Sequence, residues 1–160
     1  MVRDIQLTVN GEARALRLDD TRTLLDVLRT ELNLKAARFG CGAGQCGTCA
    51  VIVDGEEVAA CQREVGNLEG QAITTLEGIG TPDRPHPLQA AFLELNAGQC
   101  GYCLAGILVG AKALLDRNPS PTRAEIAETL AWHLCRCGAH NRILAAVALA
   151  AERMSRRAAA

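Results

Sequence analysis

The chain has 160 residues, 49% of them hydrophobic, and a net charge of −1. That is enough apolar material for a sizeable core in one domain or two small ones, and the balanced charge leaves no field to steer a polyanion such as nucleic acid. The four aromatic residues, Phe39, Phe92, Tyr102 and Trp132, are too few for the stacking platforms of single-strand binders.

Ile5, Leu7 and Val9 alternate with polar residues, Asn10-Gly11 supplies a hairpin turn, and Ala13 to Leu18 makes the returning strand. Thr23 caps a helix whose apolar positions Leu24, Leu25, Val27, Leu28 and Leu32 recur at helical spacing and cover one face of the sheet. After a glycine-rich stretch, Ala50 to Val53 reads as a strand, Asp54-Gly55 as a second turn, and a further strand leads to Cys61. Gly78, Gly80, Pro82, Pro85 and Pro87 then crowd into ten residues, the texture of a linker. Beyond it, helices are expected from Leu88 to Leu95, from Leu104 to Leu115, from a capping box at Thr122 and Glu125 through Leu130, and from Ile143 onward until a frayed Ala/Arg tail. The expected class is α+β: residues 1–77 as a strand-rich domain, 78–87 as linker and 88–160 as a four-helix domain.

Eight cysteines fall into two quartets with none left over. Cys41, Cys46, Cys49 and Cys61 read C-x4-C-x2-C-x11-C, and Cys100, Cys103, Cys135 and Cys137 read C-x2-C-x31-C-x-C. The first spacing is that of a plant-type ferredoxin, in which one tight loop supplies three thiolates to a 2Fe-2S cluster and a later residue supplies the fourth. Gly40, Gly42, Gly44 and Gly47 alternate with these cysteines. Glycine permits positive φ, which turns backbone N–H groups toward sulfur. In the second quartet each cysteine pair precedes a helix, so two helix N-termini face one anionic cluster. This spacing is the less specific of the two, and by itself it also suits a structural zinc. A disulfide framework is disfavoured by the core-forming composition and the lack of a secretion signal.

Three segments together, Gly40-Cys41-Gly42-Ala43-Gly44-Gln45-Cys46-Gly47-Thr48-Cys49, Gln99-Cys100-Gly101-Tyr102-Cys103 and Leu134-Cys135-Arg136-Cys137-Gly138, resemble the small iron–sulfur subunit of the xanthine oxidase family of molybdenum hydroxylases. The resemblance runs from about Ile5 to Arg153. It implies an N-terminal plant-ferredoxin-like β-grasp domain, a C-terminal four-helix domain and two 2Fe-2S clusters. It also implies a non-catalytic role: a separate large subunit binds molybdopterin, in bacterial members usually the cytosine dinucleotide form, and hydroxylates an aldehyde or aromatic N-heterocycle. The small subunit would carry the electrons away singly. The cluster of Cys100, Cys103, Cys135 and Cys137 would lie nearest the pterin, with Gln99 and the Cys137 backbone at the positions that touch it. The cluster of Cys41, Cys46, Cys49 and Cys61 would pass electrons on, to a flavin (FAD) subunit or to the haem of a cytochrome c.

Cys103-Leu104-Ala105-Gly106 and Ala111 to Pro119 look most like the nicotinate dehydrogenase and isoquinoline oxidoreductase branch, whose members often lack a flavin subunit. Trp132-His133, where Gly-Asn is common, and His140, where Tyr or Thr is common, depart from the family pattern. Two full cysteine quartets leave no ligand vacancy for His86, His133 or His140, which are expected as surface or capping groups. Phe39 and Tyr102 are expected to limit water access to neighbouring ligands, and Arg153, Arg156 and Arg157 to form a solvated tail. Apolar faces on the helices at Leu88 to Leu95 and Ile143 to Ala151 are expected to serve docking. A freestanding two-cluster ferredoxin and a zinc-stabilised binding module are the alternative functions. No apolar run approaches the roughly 20 residues of a membrane span, and Met1-Val2-Arg3-Asp4 leads into a strand rather than a signal peptide. The cytoplasm is therefore the expected location, with export beside a signal-bearing partner allowed for.

Overall fold

The computed structural model describes residues 1–158. The first half is a five-stranded sheet in the order β2-β1-β5-β3-β4. β1 (Val2–Val9) and β2 (Glu12–Asp19) form an antiparallel hairpin closed by Asn10 at φ 52° and Gly11 at φ 80°. β3 (Ala50–Val53) and β4 (Glu56–Ala59) form a second, closed by Asp54 at 48° and Gly55 at 87°. Two consecutive positive φ values match the right-handed twist of paired strands, which is why these Asn-Gly and Asp-Gly steps were readable as turns. Between the hairpins, the Thr23 side chain accepts from the Asp26 N–H and starts α1 (Leu24–Thr30).

The strand that joins the two hairpins is not evident in the sequence. β5 (Ala72–Thr74) lies parallel to β1 and antiparallel to β3, and it holds the centre of the sheet with only three residues. A run that short shows no alternation to read.

The helical half comprises α2 (Pro87–Glu94), α3 (Leu104–Arg117), α4 (Arg123–Thr129) and α5 (His140–Ala158). Helix capping is reciprocal at two of these: His86 accepts from the Leu88 N–H while Gln89 accepts from His86, and Thr122 and Glu125 cap each other's backbone. α5 does not fray after Ala151. Ile143, Ala146, Val147, Ala150 and Ala151 form a buried stripe, Met154 extends it by a turn, and Arg153 bonds Glu94 of α2 at 2.7 Å. Arg153, Arg156 and Arg157 are thus helical, with Arg156 paired to Glu152; Ala159 and Ala160 lie outside the described residues. α2 and α5 pack on one another, with Leu88, Ala91 and Phe92 in the same core as the α5 stripe, so these residues are not available for docking, whereas Leu93 of α2 stays exposed.

The two halves share a wall. All four residues of β3 are buried: Val51 and Val53 join Ile5, Leu7 and the α1 residues Leu24, Val27 and Leu28, while Ala50 and Ile52 pack on Val109 and Ala113 of α3. Side chains alternate across a strand, so β3 is gripped by α1 on one face and by α3 on the other. The approach is closest at Gly106, where a Cβ would stand 2.0 Å from the Gly47 carbonyl oxygen.

Gly106→Ala should therefore force α3 away from the Gly47–Thr48 backbone. The expected loss is about 1–3 kcal/mol, or about 2–4 °C in melting temperature per kcal/mol for a chain of this size. Thermal unfolding of the two proteins side by side measures it.

Candidate metal centres

The first cysteine site is the loop from Gly40 to Cys49, closed by Cys61 in a 3-10 turn at Ala60–Gln62. Gly42, Gly44 and Gly47 adopt φ of 68° to 69°, which turns backbone N–H groups inward. Ala43 and Gln45 donate to the Cys41 sulfur at 3.3 and 3.2 Å, and the Cys41 N–H reaches the Cys46 sulfur at 3.4 Å. The first two bonds draw the exposed Cys41 thiol down to about 7. Cys46, Cys49 and Cys61 are buried. Burial pushes Cys49 up to about 12, and the adjoining Cys61 and Cys46 sulfurs add to the rise. Gln62, which sequence reasoning passed over, ties the ends of the site together by donating to the Gly42 carbonyl at 2.7 Å and the Cys61 carbonyl at 3.1 Å.

The second site joins the loop before α3 to the loop before α5. Cys103 is the N-cap of α3 and is buried, and burial followed by its contact with Cys135 raises it to about 12. Cys100 is exposed, and the Tyr102 N–H and the Cys137 thiol hold it below the usual thiol range. Burial pushes Cys135 up, but N–H groups of Ala139 and Cys137 and the Cys103 thiol outweigh it, and the net shift is downward. The Cys137 and Cys100 sulfurs lie 3.5 Å apart. Gln99, also exposed, donates to the Cys137 carbonyl at 2.8 Å, so the two residues singled out for a pterin contact are held together on the surface.

The eight thiols are all free and associate in twos: Cys41 with Cys46, Cys49 with Cys61, Cys100 with Cys137, and Cys103 with Cys135. Among the described residues, no group of three or more His, Cys, Asp or Glu side chains converges as one metal ion would require.

The sites are neighbours. The Leu134 N–H donates to the Cys46 carbonyl at 3.0 Å, which links the residue before Cys135 to a cysteine of the other quartet. Arg38 donates to the Gly101 carbonyl at 2.7 Å and lies over the Tyr102 ring, whose hydroxyl donates to the Phe39 carbonyl. None of these cross-links is visible as a sequence pattern. Phe39, Tyr102 and Leu134 remain exposed beside the sites, so in this chain alone the two aromatics do not close off the cysteines. Of the histidines, His86 is a cap and His140 is exposed at the start of α5, but His133 is buried rather than superficial.

Two sequence families match the chain, one in each half. A 2Fe-2S iron-sulfur cluster binding domain matches residues 7–75 and a 2Fe-2S binding domain matches residues 75–148, which together define an iron–sulfur protein. The chain is 44% identical over 149 residues to the nicotinate dehydrogenase small FeS subunit of Eubacterium barkeri, covering 93% of this chain and 95% of that one. It is 39% identical over 149 residues to the alpha chain of isoquinoline 1-oxidoreductase from Brevundimonas diminuta, covering 92% and 97%. Its fold superimposes on quinoline 2-oxidoreductase from Pseudomonas putida 86 with a TM-score of 0.91 at 34% identity, over 97% of both chains. With an aldehyde oxidoreductase from Desulfovibrio desulfuricans the TM-score is 0.92 at 44% identity, but there the chain spans only 17% of the larger protein. The chain belongs to the small 2Fe-2S subunits of the xanthine oxidase family of molybdenum hydroxylases.

In the cluster-free chain, iodoacetamide should alkylate Cys41 first, because the thiolate is the nucleophile. Its rate should rise through a pH of about 7 and level off above it. Cys49 and Cys103, held protonated at about 12 by burial, should stay unmodified until the chain is unfolded. Peptide mass mapping after timed alkylation checks the order; equal rates at all three would contradict it.

Proposed function

We propose that Cys41, Cys46, Cys49 and Cys61 hold one 2Fe-2S cluster and Cys100, Cys103, Cys135 and Cys137 a second, and that the chain relays electrons between them inside a heteromeric molybdenum hydroxylase. The observation that carries the reading is the grouping of the thiols in twos. Two thiolates on one tetrahedral metal lie roughly 3.8 Å apart at a metal–sulfur length of about 2.3 Å, close to the 3.5 Å between Cys100 and Cys137. Two neighbouring thiol pairs at each site suit two metals sharing bridging sulfide better than one zinc ion. When bound, each cluster supplies a centre that accepts and releases one electron. The chain's part is to hold thiolates in place, aim N–H groups at sulfur, which helps set the potential, and keep the two sites adjacent.

Residues 1–77 and 88–160 form the two cluster-binding units in this reading, with 78–87 as linker. The second site faces the large molybdopterin-binding partner. This is supported by exposed Gln99 and Cys100 and by the apolar side chains around them, Leu93, Tyr102 and Leu134. Exposed apolar groups gathered about a polar site suit a permanent partner better than a freestanding ferredoxin. Gln99 and Cys137 would meet the pterin, taken to be the cytosine dinucleotide form. The first site would pass electrons to a flavin subunit or a cytochrome c. The relatives' names favour an aromatic N-heterocycle as the complex's substrate, with an aldehyde second. No described helix is long and apolar enough to cross a membrane, and a cytoplasmic location, or export beside a signal-bearing partner, completes the proposal.

Native purification of the tagged chain should bring down a large partner together with molybdenum, iron and sulfide, and flavin or haem in the preparation would name the acceptor. Recovery of the chain alone with iron and sulfide would favour the freestanding ferredoxin; zinc without sulfide would contradict the redox reading. In the same complex, Cys46→Ser should remove or weaken one of two iron signals and Cys135→Ser the other, each lowering bound iron by up to about half.

A further inference from the structure

His133 Nδ1 is a buried side-chain atom with no hydrogen-bond partner among the described residues. The histidine sits in the turn between α4 and Cys135, its side chain 1% exposed, and Nε2 donates to Glu57 Oε1 at 2.8 Å. Glu57 is on β4, in the other half of the chain and itself only 11% exposed. A buried polar group that lacks a partner costs stability and asks for a reason.

The surroundings supply one. A Cβ on Gly47 would come within 2.3 Å of Nδ1, and a Cβ on Gly110 within 2.7 Å of Nε2 and 2.5 Å of Glu57 Oε1. The ring thus fills a slot whose walls are the first cysteine loop at Gly47 and α3 at Gly110. Trp132 lies beside it, ring centroids 4.6 Å apart. The next N–H along the chain, that of Leu134, is the one that donates to the Cys46 carbonyl, and Cys135 follows. His133 is therefore wedged directly under the contact that joins the two sites.

We propose that His133, anchored by Glu57, is a positioning residue for electron transfer between the two clusters. The ring sets how closely the Cys46–Gly47 segment lies against Leu134–Cys135, and with it the separation and magnetic coupling of the clusters. With both sites filled as proposed, His133 would fix the path over which one electron passes from the second site to the first, with no bond made or broken and no proton required. The inference rests on the two-cluster reading above.

The test uses the intact complex carrying His133→Ala, His133→Gln, Glu57→Leu or Glu57→Gln. Two readouts are compared with the unsubstituted complex: the spin–spin splitting between the clusters in low-temperature electron paramagnetic resonance of the fully reduced protein, and hydrogen exchange of the Leu134 amide. His133→Ala and Glu57→Leu should retain iron and sulfide yet lose the splitting, with Leu134 exchanging about tenfold faster, equivalent to about 1.4 kcal/mol of local stability. His133→Gln and Glu57→Gln, which keep a donor and an acceptor respectively, should restore both readouts. Unchanged splitting and exchange in His133→Ala and Glu57→Leu would overturn the proposal alone. So would loss of clusters in His133→Ala beside an unaffected Glu57→Leu, because the ring would then serve folding only. An unsubstituted complex without iron and sulfide would overturn this proposal and the two-cluster reading together.

Discussion

The close joining of the two halves of this molecule rests on the contact between the Gly47–Thr48 backbone and α3 at Gly106. With no room for a Cβ between them, the loop that carries three cysteines rests directly on the helix whose N-cap is a fourth, Cys103. Packing at that distance is backbone against backbone. It is less compliant than a contact between side chains, which can change rotamer. A ferredoxin-like half and a helical half, either of which has its own core, are thereby turned into a single support for two neighbouring cysteine sites.

The same arrangement explains how the thiols are poised. At each site one cysteine is exposed and held down by backbone N–H groups, while another is buried and pushed up to about 12. Buried thiols at that value are neutral in the empty chain, so filling a site must expel protons. In the proposed cluster-bound state, metal–thiolate bonds would offset the cost of burying sulfur.

Local chemistry was legible in the sequence and non-local packing was not. Asn10-Gly11 and Asp54-Gly55 announce their turns because positive φ restricts which residues can stand there, and Thr122 with Glu125 announces a cap because both side chains bond within four residues. The first cysteine loop was legible for a similar reason: Cys41, Cys46 and Cys49 lie within nine positions of one another. β5 has three residues and is specified only by the strands on either side of it. The grip of α3 on β3, the Arg38 bridge to Gly101 and the Glu57–His133 pair each join segments more than fifty residues apart, and no periodicity records such a meeting. His133 is the instructive case. Taken alone it was an ordinary histidine, and only the glycines that make room for it, Gly47 and Gly110, indicate that the site is built around its ring.

The central claim is that the paired thiols hold two iron–sulfur clusters in one rigid support. The most direct test is Mössbauer spectroscopy of the oxidised protein, grown on isotopically enriched iron, together with chemical analysis for iron and sulfide. The account predicts about four iron and about four sulfide per chain, with all iron in diamagnetic ferric pairs under tetrahedral sulfur coordination. Mononuclear iron, or zinc with no sulfide at either site, would contradict it.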